Sequence, residues 1–327
     1  MNTPGTDQPT PAPTAADPTA AAAAAVPEPA PVGRVRRWGS LGPVGLVLAG
    51  GVSVQFGGAL AVTLMPRAGA LGVVTLRLVV SAIIMLVVCR PRVRGYSRAD
   101  WTTVVVFGVA LAAMNGFFYQ ALARIPLGPA VTLEVLGPLA LSVFASRRLV
   151  NLLWAGLALV GVFLLAGGGF GGLDPVGVAF ALAAGAMWAT YIVFSARTGR
   201  RFPQADGLAL AMAVGAVLIL PLGIVEAGTR LVDPVTLGLG AAVAVLSSVL
   251  PYTLELIALR RLPAPTFAIL MALEPAIASM AGFLILGQAL SAVQALAIAL
   301  VIGASMGAVR TQAARGGKGG SVERTEG

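Results

Sequence analysis

Apolar positions along the chain gather into runs of helix length, separated by short breaks rich in Arg, Asp, Gly and Pro. Ten such runs can be marked, at 41–64, 69–89, 101–123, 127–146, 150–170, 176–196, 207–226, 235–259, 264–287 and 289–309. Each is about long enough to cross a ~30 Å hydrocarbon layer as a helix. The strands of a membrane barrel would alternate apolar and polar residues over about ten positions, and these runs do not. The pattern predicts an all-α membrane protein with ten transmembrane helices. Outside it, residues 1–32 hold eight prolines and no basic residue, which makes a poor signal peptide. Residues 1–40 are expected to form a disordered cytoplasmic tail, and 310–327, rich in Gly and charge, a second one.

The spacing also predicts an internal repeat. Leu122, Arg124, Pro126, Leu136 and Pro138 recur 137 residues later as Leu259, Arg261, Pro263, Leu273 and Pro275. That offset covers five runs, an odd number, so the second copy would lie upside down relative to the first. The expected architecture is two inverted five-helix repeats, 41–170 and 176–309. Secondary transporters are commonly built this way and bind substrate near the midplane where the halves meet.

Composition agrees with a membrane setting. Hydrophobic residues make up 57% of the 327 positions and charged residues only 11%, against about a quarter charged in soluble domains. The formal net charge of +9 would suit nucleic acid, but no basic run is interleaved with aromatics. Placement explains it instead: with a cytoplasmic N-terminus, 18 basic residues fall on the inner side and three (Arg67, Arg124, Arg230) on the outer. The positive-inside rule then puts both termini in the cytoplasm. The chain has no histidine and a single cysteine, Cys89, which excludes His-based zinc sites, Ser-His-Asp triads and thiolate clusters. There is no Walker loop, so ATP is not the expected energy source. No cofactor is expected.

Four ionisable residues fall inside the runs: Arg77, Glu134, Glu255 and Glu274. Each would cost roughly 2.5–3.5 kcal/mol at a helix centre, so they are expected to face the interior of the bundle. If all were charged their net charge would be −2, which favours protonation of at least one glutamate, as proton-coupled transport needs. The structural alternative is that Arg77 simply locks onto one of them. Glu255 lies near the end of its run, where it could also snorkel or cap. Three prolines are candidate helix breaks: Pro138, Pro251 and Pro275. Pro138 leaves the carbonyl of Glu134 without its helical partner, and Pro275 does the same for Met271. Such carbonyls are tolerated where they line a cavity or are buried in protein. Ser248, Tyr252 and Glu255 share one helical stripe, and Asn115 and Tyr119 another. Gln55 sits mid-run beside Gly57 and Gly58. These polar groups would either line a pathway or hold helices together.

The segments VTLRLVV around Arg77, MNGFFYQALARIPLGPAVTLEVLGPLA (114–140), LPYTLELIALRRLPAPTFAILMALEPAIA (250–278) and SVQFGGAL around Gln55 resemble the EamA-type halves of the drug/metabolite transporter superfamily. More closely, the chain is similar to the bacterial threonine/homoserine exporters over about residues 41–309. The resemblance implies ten helices, an inner-membrane location and proton-exchange efflux of small neutral amino acids. By position it carries over Arg77, Asn115, Tyr119, Glu134, Tyr252, Glu255 and Glu274. Two features depart from it: the long Pro/Ala tail, and Gln288 where the family commonly has an acid.

The expected function is therefore a secondary exporter of a small zwitterion in exchange for protons, working in the bilayer as a monomer or homodimer. Arg77 would hold the carboxylate, and Glu134 or Glu274 the ammonium, with Glu274 carrying the proton. Export of another metabolite or a drug is the rival within the class. A non-transporting membrane sensor or scaffold is the rival outside it, and an intramembrane enzyme lacks a catalytic pair.

Overall fold

The computed structural model describes residues 42–146, 149–165, 173–203, 205–259 and 270–322, and no strand occurs among them. Helix α1 (Pro43–Cys89) takes in the first two apolar runs, and α2 (Arg98–Leu122) the third. The fourth run is split into α3 (Leu127–Glu134) and α4 (Leu136–Ser146), and the fifth is α5 (Leu149–Leu165). Then come α6 (Pro175–Gly199) and α7 (Asp206–Ala227), followed by a 3-10 turn, Gly228–Val232. The eighth run is α8 (Pro234–Ala244), a π-helical turn (Val245–Val249) and α9 (Leu250–Leu259). The last elements are α10 (Glu274–Leu286) and α11 (Ala292–Val322). Four segments, Pro43–Cys89, Arg98–Leu122, Pro175–Gly199 and Asp206–Val232, are each long and apolar enough to cross a membrane. Side chains such as Leu153, Leu159, Phe163, Val217, Val225 and Phe283 stand exposed, as a lipid-facing surface requires. The chain is a multi-pass helical membrane protein.

Two boundaries differ from those that hydropathy predicts. The break expected at 65–68 does not unwind: α1 continues through Pro66 and turns only at Gly69, at φ 70°, ψ 170°. A side chain is rarely tolerated there, and only glycine visits this region freely. The two arms, 43–68 and 70–89, fold back on each other, since Gly57 on one and Arg77 on the other both reach Ser247. At the other end α11 runs to Val322, past 309 and through four glycines.

The turn at Gly69 exposes the N-terminus of the second arm, whose first amides lack helical partners. Glu226, at the end of α7, supplies them: its Oε2 accepts from the Leu71 and Gly72 amides at 2.5 and 3.1 Å. Gln288 does the same for α3, its Oε1 accepting from the Leu127 amide at 3.1 Å. Asp233 caps α8 within the chain, and the Thr236 amide and hydroxyl that donate to it hold its carboxyl below the usual range. Glu226→Ala is expected to lower stability by about 0.5–2 kcal/mol, as losing a cap does. Glu226→Gln keeps an acceptor oxygen and should lose less. Thermal unfolding of the two variants in detergent checks the order.

Helix pairs meet through small residues. The first arm of α1 lies along the π-helical turn and α9, with Gly57 against Ser247 and Leu46 and Val47 against Leu254 and Ala258, and touches α10 where Gly51 meets Ile277. The second arm packs on α7 through Gly72 and Ala227, and on α8 through Leu76 and Gly240. Helix α2 packs on α6 and α7, α3 and α4 on α6, and α5 on α11. Helix α3 also meets α10, Gly128 against Ser279.

Two of the three predicted proline breaks, Pro138 and Pro275, coincide with interrupted helices. Pro138 has no N–H for the Glu134 carbonyl, and Val135 drops out of the helix between α3 and α4. In the later run Ala272 and Leu273 form a turn, and α10 restarts at Glu274 with Pro275 in its first turn. Proline suits that position because its missing donor is not needed there. The turns at Val135 and Ala272 are 137 residues apart, the same offset as the sequence repeat.

Candidate functional site

Arg77 lies midway along the second arm of α1, half-buried between residues that are fully covered. Its guanidinium turns inward and is held by two other elements. Nη2 donates to the Ser247 carbonyl at 2.9 Å, Nε to the Ser248 hydroxyl at 3.3 Å, and Nη1 to the Tyr119 hydroxyl at 3.3 Å. The guanidinium carbon also stands 5.7 Å from the centre of the Tyr119 ring, within cation–π range. Tyr119 is completely buried on α2. The fork is thereby fixed across α1, α2 and the π-helical turn, in the geometry that suits a planar carboxylate.

The π turn explains why a carbonyl is available to Arg77. Pro251 has no N–H to offer residue 247, four positions earlier, so the Ser247 carbonyl is left for a side chain from another helix. The Leu250 amide meanwhile bonds the Val245 carbonyl, five residues back. Such π turns tend to occur at functional sites. The neighbouring Leu246 carbonyl also looks outward and accepts from the Ser53 hydroxyl at 2.6 Å. Gly57, one turn further along the first arm, abuts Ser247 so closely that a Cβ there would overlap its Oγ.

The acids sit in distinct surroundings. Glu134 ends α3 and is half-buried, near enough to Arg77 for direct electrostatic attraction. Its carbonyl, freed by Pro138, does not open onto a gap. It packs against Gly185 of α6, where a Cβ would stand 2.6 Å from the oxygen. Glu274 is buried, 7% exposed, in the first turn of α10.

The remaining predicted residues divide. Gln55 is buried on the first arm two residues before Gly57. Asn115 is buried, but its amide donates to the Leu111 carbonyl of its own helix at 2.9 Å, so it does not share Tyr119's contact with Arg77. The side chains of Tyr252 and Glu255 lie outside the described residues. Gln288, where the resemblance leads one to expect an acid, serves as the cap on α3. Ser53 and Ser247 escaped the sequence reading, although the i−4 rule applied to Pro138 would have led from Pro251 to Ser247.

Known proteins resemble this one. Residues 175–310 match the EamA-like transporter family. The chain is 41% identical over 271 residues to the threonine/homoserine exporter RhtA of Salmonella typhimurium (strain SL1344), covering 82% of this chain and 92% of that protein. It is 40% identical, with the same coverage, to the threonine/homoserine exporter RhtA of Escherichia coli (strain K12). A protein of known crystal structure shares the fold, with a TM-score of 0.52 at 22% identity over 83% of this chain and 97% of that one.

Proposed function

Because the chain belongs to the EamA-like transporter family, we propose that it exports small zwitterionic amino acids, threonine and homoserine first among them, in exchange for protons. It is a transporter and not an enzyme. The observation that carries the substrate reading is the Arg77 fork. A zwitterion leaves water cheaply only if each charge finds a partner, and a guanidinium held by three contacts is preorganised for the carboxylate. Glu134, in electrostatic reach of Arg77, is placed to take the ammonium. Export of a different metabolite or drug would use the same fork for another anion, and competition by threonine separates the two.

The architecture we propose is ten transmembrane helices in two inverted five-helix repeats, with both termini cytoplasmic in a bacterial inner membrane. The pairing of helices supports it. Shifting the chain by 137 residues exchanges α6 with the first arm, α7 with the second, α2 with α8–α9, and the α3–α4 run with that of α10. Under that exchange α2 on α6 becomes α8–α9 on the first arm, and α2 on α7 becomes α8 on the second. The second arm with α7, α3 with α10, and α5 with α11 each map onto themselves. Arg77 then lies where the repeats meet, as expected for alternating access.

Glu274 is the proposed proton carrier: protonation from outside would release substrate outward, and deprotonation inward would reset the cycle. Efflux of threonine from proteoliposomes under an imposed pH gradient tests this. The wild-type rate should rise with the gradient, and Glu274→Gln should lose that dependence. An unchanged response in Glu274→Gln removes the role.

A further inference from the structure

At one end of the bundle α1 stops at Cys89, α2 starts at Arg98, α6 stops at Gly199 and α7 starts at Asp206. The two connecting loops are drawn together there. Arg201 Nη1 donates to Asp100 Oδ1 at 2.7 Å, the Tyr96 and Phe202 rings lie 4.2 Å apart centre to centre, and Asp206 is within electrostatic reach of Cys89. Residues 87–101 and 197–206 carry seven arginines and two aspartates between them. Arg201 is committed to Asp100. Arg90, Arg92, Arg94, Arg98, Arg197 and Arg200 stand exposed, and none of them forms an ion pair among the described residues.

An orientation signal needs only that basic residues lie on one side of the membrane. Here they converge on one corner, and two of them occupy places that the backbone disfavours. Among the described residues Arg90 is the one non-glycine at positive φ, 46°, at a helix end of the kind that glycine usually takes. Arg98 opens α2, where the helix dipole opposes a cation. Next to the arginines the surface turns apolar. On α1 Ile83, Val87 and Val88 are 56%, 63% and 72% exposed, and Val93, between Arg92 and Arg94, is 57% exposed.

We propose that this corner binds an anionic phospholipid. The phosphate sits among the guanidinium groups, whose paired donors match phosphate oxygens, and the acyl chains run along Ile83, Val87 and Val88. A soluble phosphate would use the arginines and leave the apolar strip bare, so the strip argues for lipid. Each basic residue at a membrane surface adds about fivefold to the affinity for anionic lipid.

The melting temperature of the purified full-length protein in neutral detergent, followed as phosphatidylglycerol is titrated in, tests this. The wild type should gain stability with a saturable midpoint, and raising the salt should move that midpoint to higher lipid concentration. Phosphatidylcholine and glycerol phosphate should have no comparable effect. Arg92→Gln/Arg94→Gln/Arg98→Gln should raise the midpoint by about 100-fold, three arginines' worth. Arg90→Gly should raise it by about fivefold. Without lipid that variant should melt no lower than the wild type, because glycine fits the positive φ, so its loss cannot be ascribed to misfolding. Arg230→Gln, beyond the far end of α7, should leave the midpoint unchanged. An equal response to phosphatidylcholine, an equal response to glycerol phosphate, or a wild-type midpoint in the triple variant or in Arg90→Gly overturns the proposal. It does not rest on the amino-acid reading, which all of these outcomes leave standing.

Discussion

Arg77→Lys is expected to abolish export almost as completely as Arg77→Gln, with threonine efflux from proteoliposomes falling by about 100-fold or more in both. Each hydrogen bond from a charged donor contributes about 1.5–3 kcal/mol, and each 1.4 kcal/mol is a factor of ten. Two lost contacts to a carboxylate therefore suffice for the predicted fall. Lysine keeps the charge, yet its ammonium is a single point on a flexible stem. It cannot reach the Ser247 carbonyl, the Ser248 hydroxyl and the Tyr119 hydroxyl at once, as the guanidinium does. The fork would no longer be aimed. Folding should survive, because the hydrogen bonds from Arg77 to Ser247, Ser248 and Tyr119 go to neutral groups, and the amide of glutamine can still donate to one of them. Monodisperse Arg77→Gln protein without transport is the expected pair of results. Efflux by Arg77→Lys above a tenth of the wild-type rate would show that the position supplies charge alone, without geometry.

The fold was legible in the sequence wherever one helix decides its own fate. Apolar run length located the helices, and Pro138 announced both the break at Val135 and the freed carbonyl of Glu134. What followed depended on partners distant in sequence. That carbonyl could have faced a cavity or a neighbour, and only the position of Gly185 on α6 shows that it faces backbone. Hydropathy placed the end of the first run near Pro66, but proline alone does not reverse a chain. The reversal waits for Gly69 and is fixed by Glu226, a residue 157 positions away. At the site the stripe rule brought Ser248 to attention and Tyr119 with it. The same rule grouped Asn115 with Tyr119, whose polar groups turn to different partners. A short amide on a helix can satisfy itself on the carbonyl four residues back, and Asn115 does so. Gln288 looked like a lost acid, whereas a cap needs only an acceptor oxygen, which an amide supplies.

Gly137→Ala is expected to be the most destabilising alanine substitution in the first repeat, because both surfaces at that contact are main chain. A Cβ on Gly137 would overlap the Gly185 carbonyl, and a Cβ on Gly185 would stand 2.6 Å from the Glu134 oxygen. Flexible side chains can rotate away from such a clash, but helix backbones cannot. Helices α4 and α6 must separate, at a cost of about 1–3 kcal/mol or more. The displacement would pull the Glu134 carbonyl away from Gly185, so transport should fall along with the melting temperature in detergent. Gly238 and Gly303 provide the contrast, since a Cβ at either meets nothing within 4 Å. Alanine is favoured over glycine in a helix by about 1 kcal/mol, so Gly238→Ala and Gly303→Ala should be neutral or stabilising. The double variant Gly137→Ala/Gly185→Ala should lose less than the two single losses combined. Once the helices have parted for one methyl the second finds room, and neighbouring sites that share a displacement are not additive. A Gly137→Ala protein that melts with the wild type would mean that α4 and α6 do not approach at this point. The packing of Glu134 against Gly185, and with it the placement of that carboxylate near Arg77, would then have to be abandoned.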